Sequence, residues 1–156
     1  MQQAVPEGFI PLPQGLGFTD ILQPLYRREH NGALAIGMFV QESHLNILQI
    51  CHGGVLMTLA DVAAASAVNH ARGKLAGSPT ISLGFDFISA AKLGEWLQAE
   101  VEQATPKKRF GFSNGFVRAA DRDICRFNGT FYFPDHAGFD RDLAAIARLH
   151  GDPDKS

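Results

Sequence analysis

Several stretches of the chain alternate apolar and polar residues with a period of two, which is typical of strands in a half-covered sheet. The pattern is clearest at 95–105, where Leu97, Ala99 and Val101 alternate with polar residues. Clear alternation with one polar face favours an antiparallel sheet that is covered on one side. The predicted strands are 33–40, 80–88, 95–105, 109–118 and 123–133.

Residues 53–69 break this pattern, because they are apolar almost all round and rich in Ala and Leu, with no Pro. These features predict a long helix that is buried on most sides. Shorter helices are predicted at 18–25 and 140–149, and residues 1–17 read as an irregular lead-in. The fold class is therefore α+β, with one long helix across an antiparallel sheet. A single sheet cannot cover such a helix on all sides, so a second subunit is expected.

Phenylalanine is the oddity of the composition, with 12 residues against one Trp and two Tyr. Most of them fall at alternate positions of the predicted strands. We therefore expect most of the phenylalanines to belong to the core.

The length of 156 residues indicates a single domain. We divide it into the lead-in 1–17, the domain proper at 18–135, and a C-terminal helix and tail at 136–156. The formal net charge of −2 argues against nucleic acid as a partner. No apolar run reaches the length of a membrane span, and the N-terminus does not resemble a secretory signal, so a cytoplasmic location is expected.

Asp61 is the sharpest anomaly, because it lies in the middle of the apolar helix. No Lys or Arg lies within four residues of it, so no ion pair within the helix explains it. One interpretation is structural: Asp61 faces solvent or bonds to Thr58. The other is functional, since carboxylates in apolar surroundings often mark active sites.

Cys51, His52, Gly53 and Gly54 stand directly before this helix. The first N–H groups of a helix lack intrahelical partners and lie at the positive end of its dipole, so they suit a developing oxyanion. Gly54 and Asp61 share a helix face but lie about 10 Å apart. That distance is long for one carbonyl and favours a site whose halves come from different copies of the chain. The structural alternatives are a plain turn for the glycines and capping or packing for His52.

Other candidates are weaker. Gly111–Gly115 matches the G-x-S-x-G pattern, but inside a predicted strand rather than at a strand-to-helix turn. The six His lack zinc-site spacing, so no metal is expected. Lys107, Lys108 and Arg109 form a basic turn that suits phosphates or plain solvation.

The stretch 44–61, HLNILQICHGGVLMTLAD, resembles the hotdog-fold acyl-CoA thioesterases. It is most similar to their phenylacetic-acid-degradation (PaaI-like) branch, whose signature is an Asn, then HGG, then an acid in the following helix. The similarity extends over roughly residues 16–133. It implies a hotdog fold, in which a five- to six-stranded antiparallel sheet wraps a long central helix. It also implies a homodimer or homotetramer with sites between subunits.

The resemblance assigns roles to individual residues. Asp61 would be the general base or the nucleophile, and the Gly53 N–H would polarise the thioester carbonyl. Asn46 would orient water or the carbonyl across the interface from Asp61, and His52 would shape the helix start. The implied substrate-binding residues are Gly54, Gln49, Ser89, Lys108 and Arg109. Two positions depart from the family, since Gln49 stands where many members have Gly, and Ala65 where some have Ser or Thr.

The predicted function is hydrolysis of acyl-CoA thioesters to the free acid and CoA, with no cofactor besides the CoA of the substrate. One alternative is a hotdog hydratase or dehydratase. It is disfavoured because His52 and Asp61 are nine residues apart and cannot converge within one helix. The other alternative is a noncatalytic acyl-CoA-binding protein, which would usually lack the acid.

Overall fold

The computed structural model describes residues 4–74 and 77–135. The predicted α+β architecture is confirmed: one long helix lies across an antiparallel sheet. The helix is α1 (Gly53–Ala71), and the strands are β1 (Ile10–Pro11), β2 (Leu25–His30), β3 (Ala33–Phe39), β4 (Thr80–Phe87), β5 (Trp96–Pro106), β6 (Phe110–Ala119) and β7 (Arg122–Tyr132). Their order across the sheet is β1-β2-β3-β5-β6-β7-β4, and every neighbouring pair is antiparallel.

The sheet has seven strands rather than the five or six predicted. The additional strands are β1 and β2, which pair with each other. Of these, β1 lies inside the segment 1–17 that was predicted to be irregular. The sequence of β2 is LYRREH, and its charged residues obscure the alternation of apolar and polar residues that is typical of a strand. The helix predicted at 18–25 is a short 3₁₀ helix at Gly17–Leu22, because Leu25 already belongs to β2. The helix predicted at 140–149 lies outside the described residues.

Helix α1 begins where predicted and ends two residues later than predicted, at Ala71. It packs chiefly against β5 and β6. Small residues on its buried face let the helix lie close to the sheet. The buried positions of this face include Leu56, Leu59, Ala60, Ala63, Ala64, Ala67 and Val68.

Close packing of α1 overturns the expected placement of the phenylalanines. In β6 the residues that face the helix are small, and a side chain added at Gly111 would lie 3.0 Å from Val68 Cβ. Phe110 and Phe112 therefore turn to the opposite face, where they are 40% and 47% exposed. Phe127 and Phe131 of β7 fill the core instead. The expectation that most phenylalanines are buried was wrong: among the described residues the buried ones are Phe9, Phe127, Phe131 and Phe133.

Strand β4 forms one edge of the sheet and pairs with β7. It carries exposed apolar side chains, Ile81 at its start and Phe87 at its end. The turn that precedes α1 also presents apolar residues, since Ile47 is 96% exposed and Leu48 is 70% exposed. The predicted site residues thus lie beside an open sheet edge and an apolar surface.

Candidate active site

Asn46 organises the turn that leads into the helix. Its side-chain oxygen Oδ1 accepts the N–H of Leu48 at 2.9 Å and the N–H of Ile50 at 3.4 Å. Its carbonyl accepts the N–H of Gln49 at 3.0 Å. The amide nitrogen Nδ2 makes no hydrogen bond within the described part of the chain and remains a free donor.

Gln49 occupies the left-handed region of the backbone, with φ of 59°. A residue with a side chain is strained there, whereas Gly is not. This conformation explains why glycine suits the position where this chain has Gln49. The Gln49 side chain is exposed and does not line the cavity described below.

His52 is the N-cap of α1. Its ring nitrogen Nδ1 accepts the N–H of Gly54 at 2.8 Å, and its carbonyl accepts the N–H of Val55 at 2.9 Å. His52 therefore caps the helix, as the capping interpretation predicted. Because the Gly54 N–H donates to the His52 ring, it is not available to a substrate. The Gly53 N–H makes no hydrogen bond to any described residue, so it is free to donate to a ligand at this helix start.

Asn46 and Gly53 meet at one cavity of about 360 Å³. Ser89 also lines it, so three of the predicted site residues come together here. The remaining lining residues are Ile50, Cys51, Leu56, Phe87, Ile88, Ala90 and Ala91. Gly53 lies against Phe87, since a Cβ atom there would lie 3.4 Å from the Phe87 ring, at ordinary van der Waals distance.

The hydroxyl of Ser89 is occupied by the protein itself. It donates to the carbonyl of Asp123 at 2.6 Å and accepts from Arg122 at 3.4 Å. Arg122 also donates to the carbonyl of Ala90 and to the carboxylate of Glu95. Ser89 therefore shapes the cavity wall, and its hydroxyl proton is not available to a ligand.

Asp61 is partly buried on α1, and its partner is Thr80 at the start of β4. The Thr80 hydroxyl donates to Asp61 Oδ1 at 2.7 Å. Burial raises the pKa of the Asp61 carboxyl above its ordinary value, and the Thr80 hydrogen bond opposes that rise. Thr58, the structural partner considered from sequence, instead donates to the carbonyl of Gly54 at 2.8 Å.

Sequence reasoning missed Thr80, because it is 19 residues from Asp61 and only the fold joins them. Asp61 itself does not line the cavity of Asn46 and Gly53. Lys108 and Arg109 are exposed in the turn between β5 and β6 and do not line it either. In one copy of the chain, Gly53 therefore lines the cavity and Asp61 does not.

The remaining sequence motifs do not form a catalytic or metal-binding site among the described residues. Gly111–Gly115 lies inside β6 and its Ser113 is buried, so the G-x-S-x-G match is not a nucleophile elbow. Across residues 4–74 and 77–135, no three His, Cys, Asp or Glu side chains cluster as a metal site would require. No helix in that part of the chain combines the length and hydropathy that a membrane span needs.

Comparison with known proteins assigns the chain to a family. The model of the thioesterase superfamily matches residues 48–124, which include Gly53 and Asp61. A Pseudomonas aeruginosa protein named "Putative esterase" is 30% identical over 131 residues, which cover 83% of this chain and 98% of that protein. The chain belongs to the thioesterase superfamily. The prediction that it is a thioester hydrolase is thereby confirmed at the level of the superfamily.

Solved structures agree with this assignment. The Escherichia coli PaaI protein of the phenylacetic acid degradation operon is 25% identical, with a TM-score of 0.63 and coverage of 70% of this chain and 79% of that one. A Streptococcus pneumoniae thioesterase solved with coenzyme A has the same fold, at 18% identity and a TM-score of 0.63, covering 80% and 94% of the two chains. The predicted hotdog fold and the predicted resemblance to PaaI proteins are confirmed.

Proposed function

We propose that this superfamily member hydrolyses acyl-CoA thioesters to a free acid and coenzyme A. The single observation that carries the proposal is the unpaired N–H of Gly53, a residue that lines one cavity together with Asn46. An N–H donor at the positive end of a 19-residue helix suits the oxygen of a thioester carbonyl. The coenzyme A bound by the Streptococcus pneumoniae thioesterase supports CoA as the thiol carrier.

Gly53 stabilises the charge that develops during the reaction. When a nucleophile adds to the carbonyl carbon, the carbonyl oxygen becomes an oxyanion, and the Gly53 N–H donates to it. Removing one such donor typically lowers kcat about 10²–10³-fold. Collapse of the adduct breaks the C–S bond and releases the CoA thiolate, which leaves readily and needs little acid assistance.

Asp61 supplies the nucleophile in one of two ways. As general base, its carboxylate takes a proton from water while the water oxygen bonds to the carbonyl carbon. As nucleophile, it forms a mixed anhydride that water then hydrolyses. In both routes Asp61 must be ionised, and the Thr80 hydroxyl supports the ionised form by donating to Oδ1.

A homo-oligomer would complete the site. Asp61 does not line the cavity of Asn46 and Gly53 in its own chain. The open edge of β4, which begins at Thr80, and the exposed Ile47 and Leu48 give a second copy an apolar surface to cover. We place the Asp61 of one subunit opposite the Asn46 and Gly53 of another.

The experiment compares wild type with Asp61→Asn on a panel of acyl-CoA substrates. Asp121→Asn is the matched control, because Asp121 is exposed in the turn between β6 and β7. Loss of the carboxylate should lower kcat/KM at least 100-fold, and the control should retain full activity. Full activity of Asp61→Asn would contradict its assigned role, and binding of acyl-CoA without hydrolysis by wild type would contradict the function.

A further inference from the structure

Arg122, the first residue of β7, does not line the cavity of Asn46 and Gly53, but it is bonded to residues that do. We propose that Arg122 is a positioning residue for the Gly53 N–H: it holds the wall segment 88–91, and this segment holds the backbone that leads into Gly53. The inference rests on the proposed function, because it concerns the donor that would meet the thioester oxygen. It adds a residue to which no sequence motif pointed.

The wall segment 88–91 follows β4, and all of its residues line the cavity. Backbone bonds hold its first two residues, since the N–H groups of Ile88 and Ser89 donate to the carbonyl of Ile124 at 2.8 and 3.2 Å. Beyond these bonds the chain leaves the sheet. Side-chain donors must therefore fix the rest of the segment.

The Arg122 guanidinium fixes the middle of this segment. Its Nη1 donates to the carbonyl of Ala90 and, at 3.4 Å, to the hydroxyl of Ser89. The Ser89 hydroxyl donates in turn to the carbonyl of Asp123 at 2.6 Å. Hydrogen bonds from a charged donor are stronger than those between neutral groups, so the bond to the Ala90 carbonyl is an effective restraint.

Glu95 orients the guanidinium. Its carboxylate accepts from Arg122 Nη2 at 2.5 Å and from the N–H of Lys92 at 2.7 Å. Burial raises the pKa of Glu95, but the hydrogen bonds and charges of Lys92 and Arg122 outweigh burial and lower it below its usual value. The carboxylate is therefore ionised at neutral pH. It binds one nitrogen of Arg122 and leaves the other, Nη1, for the wall segment.

The wall segment holds the backbone before α1. The carbonyl of Ala91, a residue that is 1% exposed, accepts the N–H of Cys51 at 2.8 Å. The carbonyl of Ala90 belongs to the planar peptide that joins it to Ala91. Arg122 therefore restrains Ala91 and, through it, Cys51, which stands two residues before Gly53.

A small displacement at Gly53 would matter to the proposed reaction. Donors stabilise an oxyanion when they lie about 2.7–3.1 Å from it. A misplacement of about 1 Å can lower the rate about 10²-fold. Because Arg122 itself does not line the cavity, its loss should reduce the rate of the chemical step rather than the binding of substrate.

The kinetic test compares wild type with Arg122→Met, which removes the donors and keeps an unbranched stem. Arg126→Met is the matched control, because Arg126 lies on the same strand and pairs with the exposed Asp86 instead. On the best substrate of an acyl-CoA panel, kcat of Arg122→Met should fall about 10–100-fold with KM within about twofold of wild type. Arg122→Lys keeps a charged donor and should recover part of the loss. Arg126→Met should match wild type.

The folded fraction of each variant separates positioning from loss of structure. The side chains of Arg122 and Glu95 are 39% and 31% exposed, so the pair should add little to stability. Thermal unfolding gives the folded fraction at the assay temperature, and kcat is divided by it. A folded fraction that explains the whole fall in kcat would refute the inference.

Hydrogen exchange tests the positioning without any hydrolysis and so separates this inference from the proposed function. The Cys51 N–H should exchange about tenfold faster in Arg122→Met than in wild type, measured by NMR at single-amide resolution. Arg126→Met should leave this rate unchanged. Faster exchange supports the inference even if no acyl-CoA is cleaved. Unchanged exchange of Cys51 would overturn it, and so would an unchanged kcat in an active enzyme.

Discussion

Thr80 donates its hydroxyl proton to Asp61 Oδ1 at 2.7 Å, joining the edge strand of the sheet to the middle of the central helix. The bond gives a carboxylate on a largely apolar helix a polar partner. Burial raises the pKa of Asp61 and the Thr80 bond lowers it, so the protonation of Asp61 depends on both. Ala65, one turn after Asp61, carries no hydroxyl, so the hydroxyl that bonds to Asp61 comes from the sheet.

Replacing Thr80 should move the acid side of the pH profile. Thr80→Val removes the donor that favours the ionised carboxylate, so the pKa of Asp61 rises further and activity is lost at a higher pH than in wild type. The measurement is kcat/KM from pH 4 to 9. Thr80→Ser keeps the hydroxyl and should retain the wild-type profile. An unshifted profile for Thr80→Val would show that Asp61 does not control the acid limb.

Removing the Asp61 charge should stabilise the protein while it abolishes activity. Because the folded-state pKa of Asp61 lies above its ordinary value, its favourable contribution is present at low pH and is lost as pH rises through the folded-state pKa. Asp61→Asn should therefore raise the Tm by a few degrees at pH 7 and much less at pH 4. Thermal unfolding monitored at both pH values checks this, and a lower Tm at pH 7 would contradict it.

Mixing two inactive variants should restore activity if the site is shared between copies. Asn46→Ala lacks one half of the site and Asp61→Asn lacks the other. A mixed dimer would pair both defects in one site and leave the second intact. Random exchange of subunits, as by refolding an equimolar mixture, should then recover about a quarter of wild-type activity. Each variant refolded alone is the control, and no recovery would place both groups in one chain.

The two cysteines should be inert in the folded protein. Burial raises the pKa of Cys51 and of Cys125 to about 11. At pH 8 that leaves about 0.1% of each thiol as thiolate, against about a quarter for a free cysteine, so alkylation should be at least 100-fold slower. Mass spectrometry after timed iodoacetamide treatment measures the rate. Protein unfolded in guanidinium is the control, and rapid labelling of the folded form would contradict the burial.

The sequence predicted the long helix, its start at Gly53 and the strands β3 to β7, because their apolar periods are local properties of the chain. It also singled out Asn46, Gly53 and Asp61 as candidate site residues, since the Asn, HGG and acid lie within 16 residues of one another. It did not locate β2, whose charged residues obscure the period of a strand. Thr80 and the occupied hydroxyl of Ser89 depend on contacts between distant segments, which local spacing does not encode.

The small residues on the helix-facing side of β6 determine which substitutions this strand tolerates. At Gly115 a methyl group would clash with the carbonyl oxygen of Glu100, whereas Phe110 and Phe112 are partly exposed on the opposite face. At these positions of the strand the exposed bulky residues are more replaceable than the buried glycine. In a library of random variants selected for activity, diversity along β6 should rise with the size of the original side chain.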